Sequence, residues 1–155
     1  MQTIAAPTVK DLVLLGGGHA HALVLRMWGM NPLPGVRLTL ISNSAFAPYS
    51  GMLPGYLSGD YRFQEMHIDL RKLASFAGAR FLLAEAQGID LPRRQVLLPE
   101  RPPVRFDLLS LDTGCQPGVS AIPGAAEHAI PLKPIPSFLQ RFDSLVRESE
   151  AQKFQ

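Results

Sequence analysis

Three glycines stand between two apolar runs in the stretch LVLLGGGHAHALVL, residues 12 to 25. A turn from a strand into a helix can hold a diphosphate, because glycine lets the backbone come close and the helix directs free N–H groups at the anion. Gly16 and Gly18 occupy the two positions where this chemistry requires glycine. His21 replaces the usual third glycine, which predicts a wider spacing between helix and strand or a side chain directed away. The stretch predicts a dinucleotide-binding loop, and an ordinary strand-to-helix turn is the alternative.

A ribose contact is the second chemistry to be expected. Dinucleotide-binding loops are usually followed, at the end of the next strand, by an acid that holds the ribose hydroxyls. Ser42 stands at that place, after the alternating run VRLTLIS. A hydroxyl makes a weaker contact than a carboxylate, so we expect Asn43 to assist.

The elements around the loop fit these demands. Residues 10 to 15 form an apolar run typical of a buried parallel strand, and residues 36 to 42 form a second strand. Between them, helical spacing of apolar residues predicts a helix over about residues 20 to 30, carried by Leu23, Val24, Met27 and Trp28. The order is that of a right-handed βαβ unit.

The middle of the chain alternates loops and short elements. Residues 42 to 61 read as a long loop, which we expect to be functional because it keeps aromatic and apolar side chains. Asp69 is placed to cap a short helix that Gly78 ends, and residues 79 to 86 read as a strand. Three short pieces at residues 88 to 91, 95 to 98 and 104 to 106 predict an antiparallel meander, followed by a strand within FDLLSLDTG.

The C-terminal part predicts one more helix. Apolar positions at helical spacing place it over about residues 138 to 152, and Ser137 with Gln140 forms the pattern of a capping box.

Composition limits the classes of protein that remain. With 155 residues, 46% hydrophobic and 18% charged, the chain is expected to form a single globular domain over residues 1 to 155. Basic residues are scattered, which argues against a nucleic-acid partner. Neither a signal peptide nor a transmembrane segment is indicated, which favours a cytoplasmic location. The single cysteine, Cys115, is expected to be a small buried hydrophobe more readily than a redox group.

Three separated stretches resemble a known family. LVLLGGGHAHALVL, PYSGMLPGYLSG and FDLLSLDTGCQPGVSAIPGA are similar to the FAD-binding N-terminal part of pyridine nucleotide-disulfide oxidoreductase flavoproteins, above all type II NADH dehydrogenases and sulfide:quinone reductases. GGGHAH and PYSGMLPGY further resemble the flavoproteins sometimes fused to selenide water dikinase. The resemblance implies an α/β, Rossmann-like FAD-binding domain with a parallel sheet, flanking helices and the small β-meander as its crossover.

The resemblance also implies a set of cofactor-binding residues. They comprise the diphosphate loop, the adenosine ribose contact, the inner part of the cofactor, the adenine-facing strand and the closing turn: Gly16, Gly18, His19 and Ala20; Ser42 and Asn43; Ser50, Gly51 and Met52; Glu85 and Ala86; Thr113 and Gly114.

The implied activity is transfer of a hydride from NAD(P)H to the flavin and onward to a quinone-like or other acceptor. YSGMLPGYLSGDYRF contains no cysteine pair, so a thiol-disulfide relay is not expected, and no catalytic residue can be named. The family's nicotinamide-binding and C-terminal domains have no counterpart here. We therefore expect a fragment, inactive alone, with residues 134 to 155 as a linker helix toward the missing domains. Self-association of the fragment and peripheral membrane attachment of the parent stay open.

A metal site is not expected. His19 and His21 are two apart and fall on different sides of a helix.

A small NAD-binding Rossmann domain and a non-enzymatic interaction module are the two alternatives to a flavoprotein. Bound FAD, bound NAD without flavin, or a tight protein partner without either ligand would distinguish the three.

Overall fold

A computed structural model describes residues 10–115, 118 and 122–153 of the chain. The chain divides into two compact units, Met1–Gly114 and Cys115–Gln155. In chain order the first unit contains β1 (Lys10–Leu15), α1 (His19–Met30), β2 (Val36–Ser42), β3 (Phe46–Pro48), a 3-10 turn (Ser50–Met52), α2 (Leu53–Leu57), α3 (Phe63–Met66), β4 (His67–Asp69), α4 (Leu70–Phe76), β5 (Arg80–Leu83), β6 (Gly88–Asp90), β7 (Gln95–Leu97), β8 (Val104–Arg105) and β9 (Leu108–Leu111).

A four-stranded parallel sheet in the order β5, β2, β1, β9 is the centre of the first unit. In its register Leu15 pairs with Ile41 on one side and with Leu111 on the other. Since all four strands run in the same direction, their carboxyl ends meet at one edge, where ligands bind in open α/β sheets. The predicted α/β fold with a parallel sheet is confirmed.

The two faces of the sheet bury different partners. Side chains alternate along a strand, so Leu14 and Leu40 lie on the face covered by α1 and α4, while Val13 and Ile41 lie on the face covered by the meander. Leu25 of α1 is fully buried in the first cluster. The sheet is thus apolar on both faces, which explains the nearly unbroken hydrophobic runs of β1 and β2.

The meander forms a separate sheet. β6, β7 and β8 pair antiparallel in sequence order, as the turn signals predict. Val96, Leu98, Val104 and Phe106 are buried in the cluster that covers the sheet. The predicted β-meander, including its position between the third and fourth strands of the parallel sheet, is confirmed.

The segment that reads as one long loop contains regular structure. β3 pairs antiparallel with β4, and the 3-10 turn and α2 lie between them in sequence. The loop prediction for residues 42 to 61 is therefore wrong in part. Its short elements stop after three to five residues, too few to show a period in the sequence.

The capping prediction for α4 is confirmed. The Asp69 carboxylate accepts hydrogen bonds from the N–H groups of Arg71 at 3.0 Å and Lys72 at 3.2 Å. Gly78 follows the helix with φ of +61°, the left-handed conformation that commonly ends a helix.

The second unit contains α5 (Ala125–His128) and α6 (Ile135–Lys153). A helix was expected here, but it begins three residues earlier than predicted, and Ser137 lies inside it. The capping-box prediction for Ser137 and Gln140 is therefore wrong. Pro136 is compatible with the earlier start because the first turn of a helix does not need its N–H groups. Whether residues 134 to 155 act as a linker stays a prediction, as does the single-domain organisation.

Among the described residues, no helix combines the length and the apolar character that crossing a bilayer requires.

Gly16→Ala is predicted to destabilise the fold far more than Gly59→Ala. Both glycines have positive φ, +102° and +87°, so both variants incur backbone strain of about 1 kcal/mol. Only at Gly16 does an added Cβ also meet backbone, 2.1 Å from the Asp112 carbonyl oxygen, whereas nothing lies within 4 Å at Gly59. We expect the free energy of unfolding to fall by about 3 kcal/mol or more for Gly16→Ala. Equal losses in urea denaturation of the two variants would contradict this.

Asp107 is predicted to contribute to acid sensitivity. Its carboxylate accepts the Asp11 N–H at 2.7 Å, and this bond, with Lys10 nearby, lowers the pKa of Asp107 below 3.8. A lowered pKa gives stability that is complete above the unfolded-state pKa and lost as pH falls through the folded-state pKa. Asp107→Asn keeps an acceptor oxygen but does not titrate. In urea denaturation from pH 7 to pH 2, the gap in stability between wild type and variant should therefore close below about pH 4; a gap that stays constant over this range is the contrary result.

Candidate dinucleotide-binding site

A cavity of about 390 Å³ opens at the carboxyl ends of the parallel strands. Its lining comes from the ends of β1, β2 and β5, from the start of β6 and from the turn after β9: Leu15, Gly16, Gly17, Ile41, Ser42, Asn43, Ala84, Glu85, Ala86, Gln87, Gly88, Ile89 and Thr113. Six of the residues named from the sequence therefore lie around one cavity. They are Gly16, Ser42, Asn43, Glu85, Ala86 and Thr113.

The glycine turn is packed directly on the end of β9. The N–H of Gly18 donates to the Asp112 carbonyl oxygen at 3.2 Å, and the N–H of Asp112 donates to Leu15 at 2.8 Å. This close approach explains the glycine at position 16. It also holds the amino end of α1 at the carboxyl edge of the sheet, beside the cavity.

Three backbone N–H groups in this turn have no hydrogen-bond partner in the described part of the chain. They belong to Gly17, His19 and Ala20. Free N–H groups in the first turn of a helix, together with the positive end of its dipole, form an anion-binding site. The arrangement can hold a phosphate or diphosphate group without any basic side chain.

Ser42 is buried and already engaged. Its hydroxyl donates to the Ser44 carbonyl oxygen at 2.8 Å and accepts the Ser44 N–H at 3.2 Å. It also limits the turn opposite, since a Cβ on Gly17 would lie 2.6 Å from the Ser42 hydroxyl oxygen. Asn43 is exposed at the cavity. A ribose contact from these two residues stays a prediction.

His21 does not point away from the protein, as one of the two sequence interpretations had it. Its side chain is 1% exposed. One ring nitrogen, Nδ1, lies 2.7 Å from the Gly16 carbonyl oxygen, and the other, Nε2, lies 2.9 Å from the Ser110 hydroxyl. The ring therefore lies beneath the glycine turn, with a polar partner on each side.

A carboxylate lies at the amino end of α1. Asp112 Oδ2 accepts the His21 N–H at 3.2 Å, and a Cβ on Gly18 would lie 2.2 Å from the same carboxyl group. Gly18, which has no side chain, thus leaves room for the acidic side chain of Asp112. This negative charge lies next to the N–H groups that an anion would use, so it opposes the helix dipole there.

The residues expected along the inner cofactor lie in a neighbouring part of the first unit. Ser50, Gly51 and Met52 form the 3-10 turn after Tyr49. The Tyr49 ring packs edge to face on His19, with 5.4 Å between ring centroids. Through this contact the 3-10 turn reaches the glycine turn, although its three residues do not line the cavity. Gly114 follows Thr113 with φ of +82°.

Cys115 is exposed, which contradicts the expectation of a buried hydrophobe. Thr113 and Gly114, which precede it, are exposed as well. In the described ranges no three His, Cys, Asp or Glu side chains are grouped closely enough to hold a metal ion.

Sequence reasoning missed two polar residues, one within β9 and one directly after it. Ser110 and Asp112 are two apart and so share one face of the strand, the face toward α1. Polar residues at this spacing interrupt the apolar run FDLLSLDTG, and that interruption was the available signal. Gly17, whose amide is free, was also overlooked.

One curated relative shares the sequence. The chain is 27% identical over 142 residues to the NADH dehydrogenase-like protein YutJ of Bacillus subtilis (strain 168), and the match covers 88% of this chain and 38% of that protein. The chain thus spans less than half of its relative. No protein-family model matches it.

Solved structures share the fold. NDH2 from Plasmodium falciparum, determined in complex with NADH, has a TM-score of 0.68 at 19% identity and covers 84% of this chain and 27% of its own. The sulfide:quinone oxidoreductase of Aquifex aeolicus has a TM-score of 0.62 at 24% identity over 77% of this chain and 27% of its own. A NAD-dependent persulfide reductase from A. fulgidus has a TM-score of 0.65 at 18% identity, covering 88% and 27%. This chain is therefore similar to the N-terminal part of pyridine nucleotide-disulfide oxidoreductase flavoproteins. The similarity is in sequence for YutJ and in fold for the three solved structures.

Proposed function

We propose that this chain is the FAD-binding portion of an NAD(P)H-dependent flavoprotein oxidoreductase. The observation that carries the proposal is the glycine turn, in which the N–H groups of Gly17, His19 and Ala20 are free beside a cavity at the carboxyl edge of a parallel sheet. These N–H groups would hold the diphosphate of the cofactor. Every helix begins with free N–H groups, but here they are combined with a glycine turn and an adjacent cavity, the combination that a dinucleotide needs.

The cavity suits the adenosine half of FAD. Its volume of about 390 Å³ lies within the range of small-molecule sites. Ser42 and Asn43 would contact the ribose, and the backbone of Glu85 and Ala86 would face the adenine. Thr113 would close the turn over the diphosphate. These positions come from the ends of three strands, β2, β5 and β9, so the folded sheet assembles the site.

The flavin half would extend from the diphosphate toward the 3-10 turn. The Tyr49 ring against His19 links that turn to the glycine loop, which supports a position for Ser50, Gly51 and Met52 along the cofactor. FAD held there would supply the chemistry for hydride transfer between a nicotinamide and an acceptor. Ser50, Gly51 and Met52 would orient the flavin for this transfer.

The donor and the acceptor belong to the whole protein. YutJ is described as NADH dehydrogenase-like, and NDH2 was solved with NADH, which supports NAD(P)H as the donor. The chain covers 38% of YutJ, so the nicotinamide-binding region would lie in further parts of the polypeptide. A quinone-like acceptor fits better than a disulfide relay, because the segment beside the flavin carries no cysteine pair.

An exposed apolar stripe favours a packing role for α1. Leu23, Met27 and Met30 lie on one side of the helix and are 57%, 65% and 63% exposed. Such a stripe is typical of a surface covered in the assembled protein. We propose that the remaining domains of the same polypeptide cover it. In the isolated chain the same exposed stripe would favour self-association.

FAD binding is the first test. The intact natural gene product that contains this chain is expected to purify with a yellow cofactor that denaturation releases as FAD, and the stripped protein should take up FAD with a saturable change in flavin fluorescence. Retention of NAD without flavin would favour the small NAD-binding domain instead. Binding of neither nucleotide, together with a tight protein partner, would favour the interaction module.

Asp112→Asn is predicted to bind FAD more tightly. The variant keeps an acceptor for the His21 N–H but removes the negative charge at the amino end of α1, so the diphosphate is no longer repelled. A gain of about two- to tenfold in affinity corresponds to an ordinary charge effect at a helix end. Glu100→Gln, which removes an exposed carboxylate in the meander, is the charge-matched control and should leave the affinity unchanged. A weaker or equal affinity for Asp112→Asn is the contrary result.

A further inference from the structure

We infer that His21 is a positioning residue that turns one peptide N–H of the glycine loop toward the bound anion. This inference rests on the proposed FAD-binding function and adds a cause for the loop's orientation. It concerns the peptide group between Gly16 and Gly17, and the residue that replaces the third glycine of the usual pattern.

The imidazole fixes the Gly16 carbonyl. A carbonyl oxygen can only accept a hydrogen bond, so at 2.7 Å the ring nitrogen Nδ1 must carry the hydrogen and donate it. The other nitrogen, Nε2, then accepts the hydroxyl hydrogen of Ser110 at 2.9 Å. With the ring 1% exposed, water does not compete for either bond. The Gly16 carbonyl is thereby held inward, under the turn.

The geometry of the peptide group then determines the direction of the Gly17 N–H. In a planar trans peptide the N–H points opposite to the C=O. The only cis peptide in the described ranges is the bond between Lys133 and Pro134, so the bond between Gly16 and Gly17 is trans. A carbonyl directed inward to His21 therefore directs the Gly17 N–H outward. That N–H has no partner in the described ranges, and Gly17 lines the cavity.

Glycine makes this control necessary. Gly16 has φ of +102° and its neighbour Gly17 has no side chain, so the backbone on both sides of the peptide is freer than elsewhere. A flip of the peptide would turn the carbonyl oxygen, a partial negative charge, toward the anion. His21 opposes that flip. Its ring is tied to β9 through Ser110 at 2.9 Å, and its backbone N–H donates to the Asp112 carboxylate at 3.2 Å.

Two substitutions at one position separate the two ring nitrogens. The amide of His21→Asn can place its nitrogen near Nδ1 and keep the bond to Gly16, whereas the amide of His21→Gln extends to the place of Nε2 and can keep only the Ser110 partner. Ser110→Ala is the matched control, since it removes the partner of Nε2 and leaves the bond between Nδ1 and Gly16. The proteins compared are intact natural gene products, titrated with FAD, and their unfolding temperatures are measured in parallel.

We expect His21→Gln to lose about tenfold in FAD affinity, the order of one hydrogen bond to a charged group. His21→Asn and Ser110→Ala should stay within about threefold of wild type. The phosphorus resonances of bound FAD should move in His21→Gln and stay in place in the other two. A role limited to stability predicts instead that affinity follows the unfolding temperature in all three and that the resonances do not move.

The outcomes separate the two proposals. Saturable FAD uptake by wild type with equal affinity in all three variants, or with His21→Asn as weak as His21→Gln, overturns the role of His21 and leaves the flavoprotein proposal intact. No FAD uptake by wild type overturns both. Should His21→Gln fail to fold, a tenfold loss in His21→Asn or in Ser110→Ala still contradicts the inference.

Discussion

The close approach of the turn after β1 to the end of β9 is the constraint on which the site depends. A Cβ at Gly16 would lie 2.1 Å from the Asp112 carbonyl oxygen, inside any real contact distance. The same oxygen accepts the Gly18 N–H at 3.2 Å. Because two chain segments about a hundred residues apart touch through backbone atoms, α1 starts at the edge of the sheet and its first N–H groups remain available there. One packing contact thus sets the position of the anion site and of the cavity beside it.

Burial on both sheet faces makes that constraint rigid. α1 and α4 cover one face and the meander covers the other, so β1 is held from above and below as well as by β2 and β9. Close-packed interiors tolerate little displacement. Leu15, the last residue of β1, is 7% exposed, so the turn that follows β1 starts from a rigidly packed residue. Preorganised N–H groups bind an anion better than mobile ones, because no ordering is required when the anion arrives.

Local chemistry explains which features the sequence predicts. The glycine turn, the Asp69 cap and the meander turns each depend on residues within a few positions of one another, and each is observed. The inward position of His21 depends on Ser110, 89 residues away, and no periodicity in the sequence carries that information. The start of α6 was misplaced for another reason. Pro136 and Ser137 look like a boundary, yet both are compatible with the first turn of a helix.

The proposed anion site would obtain its selectivity from the direction of its N–H groups more than from charge. No Lys or Arg lines the described cavity, whose one charged lining residue is Glu85, and the Asp112 carboxylate at the amino end of α1 is also negative. A general polyanion gains little at such a place, since it meets repulsion without a compensating cation. A diphosphate whose oxygens accept hydrogen bonds from the N–H groups of Gly17, His19 and Ala20 would gain three directed bonds, and its attached nucleoside would occupy the cavity. The carboxylate therefore raises the demand for geometric fit, because only a ligand that makes all these contacts at once offsets its repulsion.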